Sequence, residues 1–250
     1  KRKVTIPRVF FTSLAGGFDF GDFSARNPEM SVYDKIKRGW KSASDGLTGS
    51  EGFWERSALG LSLLRNLKTV FTAENLKGRL LDAGAGKLPH RHLLRELGVE
   101  YVSLDFRQTH PELDIVADVQ KMPMGDNSFD SVICIEVLEH VPNPELALTE
   151  ILRVLKPGGK LVFSVPHFLY LHNEPYDFYR YTKYGLQELA QRTGFTIVAI
   201  KPSGGLMCFL QGIVATAAVG LTYGVPVVWP AVLWVNRTTA AVAIWLDRKI

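Results

Sequence analysis

Between residues 78 and 201 short apolar runs alternate with amphipathic stretches, the pattern of strands exchanged with helices. LLDAG, VEYVSLDF, ELDIVADV, GKLVFSVP and FTIVAIKP read as strands. SFDSVICIEV is a longer strand, so uniformly apolar that both its faces should be covered. LPHRHLLRELG reads as a helix ended by Gly98. PELALTEILRVL reads as an amphipathic helix that starts at Pro144 and stops at Pro157–Gly159, and KYGLQELAQRTG as a helix closed by Gly194. The alternation predicts an α/β fold with a doubly wound, mainly parallel sheet. Such sheets take ligands at the C-terminal ends of their strands.

The flanks have other patterns. Residues 1–75 are rich in Gly, Ser and Asp and predict an irregular N-terminal arm with covering helices. A helical face is marked there within Phe53–Phe71 by Leu59, Leu63, Leu64, Leu67 and Val70. Residues 76–201 form the alternating domain, and 202–250 a C-terminal apolar helical segment. From Pro202 to Asn236 there is no Asp, Glu, Lys, Arg or His. That length suffices to cross a bilayer, but Gly224, Pro226 and Pro230 interrupt it, and Lys201, Arg237, Arg248 and Lys249 flank it. A shallow helical hairpin dipping into one leaflet, with both ends on the cytoplasmic side, fits better than a single span. The alternative is a buried subdomain or an oligomer interface.

Composition narrows the class. Apolar residues make up 46% and charged residues 22%, which are globular values. The net charge of +4 without a basic run or an Arg–aromatic stripe gives no reason to expect a nucleic-acid partner. Cys134 and Cys208 have neither a CxxC nor a His at ligand spacing, so reduced thiols in a cytoplasmic setting are expected. The opening residues lack the secretory pattern.

The stretch LLDAGAGKLP, Leu80–Pro89, carries the chemistry. It is not a P-loop, because Leu88 follows Gly86-Lys87 and Leu81 stands where the first glycine should be. As a dinucleotide fingerprint it supplies Gly84 and Gly86, but Pro89 takes the third glycine position. Asp105 ends the following strand, where a carboxylate can accept two ribose hydroxyls. Asp118 ends the third strand and can meet an adenine amino group. Asp82, just before the glycines, repels phosphate and suits an ammonium or sulfonium. Adenosine joined to a sulfonium and an amino-acid tail is S-adenosyl-L-methionine (SAM).

Read in order, LLDAGAG, SLDF, ADVQKMPMGDNSFDSVICIEVLEHVPNP and EILRVLKPGGKLVFSVP resemble the class I SAM-dependent methyltransferases with a Rossmann-like fold, in particular the methyltransferase type 11-like family. The resemblance is close from Leu80 to about Pro166 and covers about half the chain when the next helix and strand are added. It implies that Asp82, Gly84 and Gly86 cradle the methionine and ribose portion. Asp105 and the adjoining Phe106 would hold the ribose, Asp118 with Val119 would bracket the adenine, and backbone at Ile135 and Glu136 would border the donor methyl. It also implies an antiparallel seventh strand after FTIVAIKP, where the apolar segment stands instead; that strand either lies beyond Ile250 or is absent.

Methyl transfer to oxygen gains from a base near the methyl. His140 in EVLEHVPNP is the candidate, with His172 and Glu136 as further catalytic candidates. The E-x-x-E-H pattern of Glu136, Glu139 and His140 is similar to that of metal-assisted O-methyltransferases. It implies Mg2+ or Mn2+, with His167 or His172 as a fourth ligand. The loop PHFLYLHNEPYDFYRYTKYGL should cover the acceptor, with His167, Tyr179 and Arg180 as its binding residues. The expected reaction is methyl transfer to an oxygen on a membrane-associated or amphiphilic small molecule, lipid or glycan. The site is expected to sit peripherally on the cytoplasmic face of a membrane. Two other readings compete. One is a noncatalytic subunit that keeps the SAM fold as a partner platform. The other is an NAD-dependent oxidoreductase, which Pro89 and LKPGGKLVFSVP oppose.

Overall fold

The structure, a computed structural model, describes residues 4–13 (backbone only), 58–74, 76–169, 171–173, 175–222 and 228–249. Tyr170, Glu174, Gly224, Pro226 and most of the expected N-terminal arm, including Phe53–Ser57, lie outside the described residues.

The apolar runs become strands of a single sheet: β1 (Val4–Ser13), β2 (Arg79–Ala83), β3 (Glu100–Asp105), β4 (Ile115–Val116), β5 (Phe129–Ile135), β6 (Leu155–Phe168), β7 (Phe195–Ile197) and β8 (Ile200–Ser203). Their order is β4-β3-β2-β5-β6-β1-β7, with β8 beside β1. Leu80 pairs with Tyr101 on one side and Ser131 on the other, both parallel, and β3–β4 and β5–β6 are parallel as well. The sheet is therefore of the doubly wound, parallel kind. Strand order reverses at β2, whose C-terminal end carries the glycine turn. Leu81, Val132, Cys134, Leu161 and Phe163 are buried in the core over which the helices pack, which is why β5 reads as an unbroken apolar run.

The helices of the alternating region are α1 (Ala58–Ala73), α2 (Arg91–Glu96), α3 (Pro144–Val154) and α4 (Lys183–Arg192). Asn143 caps α3 by accepting the Leu146 N–H at 3.0 Å, and Thr182 caps α4 by accepting that of Gly185 at 3.0 Å. Both helices bury one stripe; that of α3 consists of Ala147, Leu148, Ile151 and Val154.

Four expectations need correction. Residues 4–13 are a strand, not irregular chain: β1 lies between β6 and β7 and pairs in parallel with β7, Val4 opposite Phe195. A strand from the N-terminal side thus lies beside β7, in parallel, where an antiparallel seventh strand was expected. FTIVAIKP is split into β7 and β8, because β8 turns away to pair with β1. The stop at Pro157–Gly159 is not a break before β6 but an irregularity within it. Register advances from Phe129↔Leu155 to Ser131↔Lys160, and a Cβ at Gly159 would stand 2.9 Å from the Lys156 carbonyl oxygen. Finally, ELDIVADV forms only the two-residue β4, so Asp118 sits in a turn beyond it.

The chain divides into two compact units. The first comprises residues 1–12, 66–167 and 171–202 and holds the sheet and the site. The second comprises residues 13–65, 168–170 and 203–250. This division cuts through α1 and does not follow the boundaries at 75 and 201. In the second unit α5 (Leu206–Thr222) and α6 (Trp229–Asp247) pack as an antiparallel pair. Ala58, Leu59, Cys208, Ala240 and Ala243 form its buried cluster. No described helix is long and apolar enough to cross a membrane.

Candidate active site

The site is built on the ends of β2, β3 and β5. After β2 the chain turns at Gly84 (φ +88°) and Gly86 (φ +51°), both in the region that favours glycine. A Cβ on Gly84 would lie 2.3 Å from Val137 Cγ2, so the turn is pressed against the chain leaving β5. A Cβ on Gly86 would meet nothing within 4 Å, so the backbone there faces open space. The Gly84 and Ala85 N–H groups donate to the Leu104 carbonyl at 2.8 and 2.9 Å, tying the turn to the end of β3.

Asp105 joins the same two ends. Its Oδ2 accepts the Gly86 N–H at 2.8 Å and its Oδ1 that of Arg107 at 3.2 Å. Phe106 beside it is exposed at the rim. Asp118 turns onto its own loop, accepting from the Gln120 N–H at 2.8 Å, with Val119 buried next to it.

Asp82 is buried at the end of β2, and its Oδ2 accepts the Tyr101 hydroxyl at 2.7 Å. Burial pushes its carboxyl up to about 7, against the Tyr101 hydrogen bond and with help from the charge of Asp105. Among the described residues no cation pairs with this carboxylate, and a sulfonium or ammonium placed beside it would supply one. The donor set of Asp82, the open Gly86 backbone and Asp105 therefore fits SAM.

Beyond β5 the backbone is strained. Ile135 ends the strand, and Glu136 has φ +54°, rare for a side chain other than glycine's and a mark of a constrained site. The Glu136 N–H donates to the Ser164 carbonyl at 3.1 Å, and its Oε1 accepts the Ser164 hydroxyl at 2.7 Å. A single 3₁₀ turn follows, Leu138–His140, and it brings Glu139 inside.

Glu139 is fully buried, and neither carboxylate oxygen has a hydrogen-bond partner among the described residues. Burial first, and then the nearby charge of Glu136, push its carboxyl well above the usual range. Its backbone carbonyl receives the Phe178 N–H at 2.8 Å and that of Tyr179 at 3.3 Å, so the loop after β6 is sewn to this turn.

His140 lies 3.6 Å from Glu139, Nε2 to Oε1, beyond hydrogen-bond reach. Its Nδ1 meets the Tyr176 carbonyl at 2.5 Å and must carry the proton, which leaves Nε2 as the acceptor in the neutral ring. Burial holds the imidazole below its ordinary value. The His172 ring stands edge-on to His140 with centroids 4.6 Å apart. Asp177 fixes His172 twice, accepting its backbone N–H at 2.8 Å and standing 3.3 Å from its Nδ1. One ligand atom from each of Glu139, His140 and His172 falls within 4.8 Å of the others.

The structure therefore gathers Glu139, His140 and His172, and sets Glu136 on Ser164 instead. His167 Nδ1 is engaged with the Tyr181 carbonyl at 2.7 Å. Tyr179 donates to the Pro142 carbonyl at 2.9 Å, and Arg180 grips Asp177 with NH1 at 2.6 Å and NH2 at 2.8 Å. Sequence reasoning missed the supporting residues Tyr101, Val137 and Ser164. Asp177 stands in the loop expected to cover the acceptor, three residues before Arg180, but its role as the anchor of Arg180 and His172 was not read there.

The chain matches the family described as Methyltransferase domain over residues 81–163. It is 40% identical over 102 residues to a demethylmenaquinone methyltransferase of Renibacterium salmoninarum, a match covering 36% of this chain and 43% of the relative. It is 34% identical over 116 residues to a ubiquinone biosynthesis O-methyltransferase of Xanthomonas euvesicatoria, covering 39% and 47%. The chain thus spans less than half the length of these curated relatives. Among solved structures, a 1,6-didemethyltoxoflavin-N1-methyltransferase of Burkholderia thailandensis aligns with a TM-score of 0.47 and 19% identity over 71% of this chain and 88% of the other. With the parallel strand order and the glycine crevice, the match over residues 81–163 identifies this segment as a methyltransferase domain of the SAM-dependent, Rossmann-like class.

Proposed function

We propose that this protein methylates an oxygen of a hydroxylated, amphiphilic acceptor, of the quinone-precursor kind, at the cytoplasmic face of a membrane. The observation that carries the reading is the fully buried carboxylate of Glu139, without a hydrogen-bond partner among the described residues, beside His140 and His172. An oxygen acceptor must lose a proton, so groups that take or displace that proton belong next to the methyl. Bound SAM supplies a methyl carbon activated by the sulfonium. Asp82, Gly84, Gly86 and Asp105 bind and orient it, and the strained backbone at Glu136 borders the crevice between β2 and β5. His140 presents Nε2 as a proton acceptor because Nδ1–H is held by the Tyr176 carbonyl.

Glu139, His140 and His172 are also the residues that would hold a divalent cation, which would polarise an acceptor hydroxyl. Two imidazoles and one carboxylate suit Mn2+ better than Mg2+, which prefers oxygen ligands. The acceptor's amphiphilic character is supported by the charge-free run Pro202–Asn236 and by the quinone acceptors in the relatives' names.

Two measurements test the reading. Mn2+ titration followed by electron paramagnetic resonance should show one site, weakened at least about tenfold in Glu139→Gln. SAM-dependent methylation of a catechol acceptor should fall when the protein is treated with chelator. Metal-independent transfer with no Mn2+ site would remove the cation and leave His140 as the base. Absence of transfer to any hydroxylated acceptor, with SAM binding intact, would overturn the proposal and favour the platform subunit.

A further inference from the structure

We infer that the α5–α6 pair is a membrane anchor one leaflet deep, whose immersion stops at a polar belt formed by Gln211, Asn236 and Thr239, with Arg237 at headgroup level. This rests on the membrane reading above and adds where the protein stops entering. The two helices are latched at their base. Asp247, the last residue of α6, accepts the N–H groups of Gly205, Met207 and Cys208 at 2.8, 2.8 and 2.9 Å and so caps the first turn of α5. Further along, Gln211 Nε2 donates to the Asn236 carbonyl at 3.3 Å and to Thr239 Oγ1 at 3.2 Å. Gln211 Oε1 accepts the Ala58 N–H at 3.2 Å. The belt is thus held from both helices and from the start of α1.

On the base side the buried cluster of Ala58, Leu59, Cys208, Ala240 and Ala243 makes a packed stem, with Leu206, Leu210, Val242 and Trp245 exposed on its surface; what separates the two sides of the belt is charge, since Arg237, Asp247, Arg248 and Lys249 all lie at or below it. On the far side, residues 212–235 contain no charged side chain, and Ile213, Val214, Trp234 and Val235 are 42%, 68%, 68% and 48% exposed. Within α5 the Thr222 hydroxyl donates to the Ala218 carbonyl at 2.7 Å. From Gln211 to Thr222 the helix rises ~16 Å, close to half of a ~30 Å hydrocarbon core.

Charge places the occupant. Between Ser203 and Lys249 the cations Arg237, Arg248 and Lys249 face one acid, Asp247, whose carboxylate is already spent on the α5 cap. Arg237 is exposed, within the belt, in a helix otherwise free of charge until Asp247. Burying it in hydrocarbon is costly, while placing it against anionic headgroups is favourable. An anionic lipid leaflet matches both the depth and the sign.

The test labels the whole chain with a nitroxide at Val214→Cys or at Val242→Cys; native Cys134 and Cys208 are buried and should not compete. Label depth is read from oxygen and nickel accessibility on phosphatidylcholine vesicles with about a quarter phosphatidylglycerol. The expected result is a label at 214 shielded from nickel only when vesicles are present, and one at 242 accessible throughout. Arg237→Glu should weaken vesicle binding about tenfold at low salt without changing S-adenosylhomocysteine affinity. Shielding of both labels would show that the belt sets no limit. Vesicle binding without shielding at 214 would overturn the anchor and leave the membrane reading standing. Shielding at 214 without vesicles, in a dimer by mass, would assign the surface to a second copy of the chain. No vesicle binding at all would sink both.

Discussion

The Tyr101 hydroxyl donates to Asp82 Oδ2 at 2.7 Å and is the partner that the structure gives this buried carboxylate. The parallel register of β2 and β3 brings the two side chains together, with Leu80 opposite Tyr101 and Asp82 opposite Ser103. One hydrogen bond does not offset full burial, so the carboxyl rises from 3.8 to about 7. The ligand-free fold therefore carries an acid it would rather keep protonated.

Asp82→Asn should stabilise the ligand-free protein and weaken SAM binding. A carboxyl raised in the folded state costs stability as pH climbs from 3.8 to 7, because the unfolded chain releases the proton more easily. At pH 8 the cost is of the order of 4 kcal/mol at most. The variant should match the parent near pH 4 and melt several degrees higher at pH 8. Calorimetry should show SAM affinity falling roughly tenfold or more, and more steeply than that for S-adenosylhomocysteine, which lacks the sulfonium charge. A variant that binds SAM as tightly as the parent would remove Asp82 from the cofactor site.

The two glycines of the turn should respond differently. Gly84→Ala adds a methyl 2.3 Å from Val137 Cγ2 at φ +88° and should destabilise by about 3 kcal/mol or more. Gly86→Ala meets no protein atom within 4 Å, so at φ +51° it should cost only about 1 kcal/mol. Its methyl occupies the open side of the turn, so SAM affinity should still fall. Denaturant titration and calorimetry on both variants separate a folding defect from a binding defect.

These contrasts show what the sequence makes legible. The strand ends are readable because β5 is apolar throughout and the glycine turn ends the apolar run of β2, so Asp82, Gly84, Gly86 and Asp105 fall at the strand ends where expected. Cross-strand partners are not readable, because Tyr101 reaches Asp82 through a register that no local pattern prints. β1 was missed for a similar reason: VTIPRVFFTS alternates poorly and contains a proline, and its strand character comes from the partners β6 and β7. The E-x-x-E-H spacing was visible, but whether its first or second acid turns inward depends on the φ +54° at Glu136 and the 3₁₀ turn after it. Those are tertiary choices.

His90 sets an acid limit on stability. It is buried, its ring edge-on to Phe71 with centroids 6.2 Å apart, and burial lowers its value from 6.5 to about 4. A histidine kept neutral in the fold gives full stability above pH 6.5, which is lost as pH falls toward 4 because the unfolded chain takes up the proton first. The loss should approach about 3 kcal/mol. Urea titrations from pH 7 to 4 should show that slope in the parent and a flatter one in His90→Gln, relative to each protein's own value at pH 7. Equal slopes would mean that other groups carry the acid transition.

Asp177 should act as a positioning residue. Its side chain is 1% exposed, and burial alone would raise its carboxyl, but the Arg180 fork and the His172 N–H hold it below the usual range. It anchors Arg180 bidentately and fixes His172 through both backbone and ring, so this carboxylate helps orient the imidazole that stands against His140. Asp177→Asn keeps the size and removes the charge. Arg180 then loses its bidentate ionic contact with Asp177, which should cost about 2–3 kcal/mol of stability, and the His172 ring loses this neighbouring carboxylate. If His172 and Glu139 serve a cation, Mn2+ affinity should fall about 10- to 100-fold, as when the outer partner of a metal-bound imidazole is removed. S-adenosylhomocysteine affinity should stay within about twofold, because the Asp82–Gly84–Asp105 crevice shares no hydrogen bond with Asp177. A purely structural role would lower both affinities together. Selective loss of Mn2+ therefore separates orientation of the histidine pair from general loosening of the loop, and titrating both ligands on the same preparation decides between them.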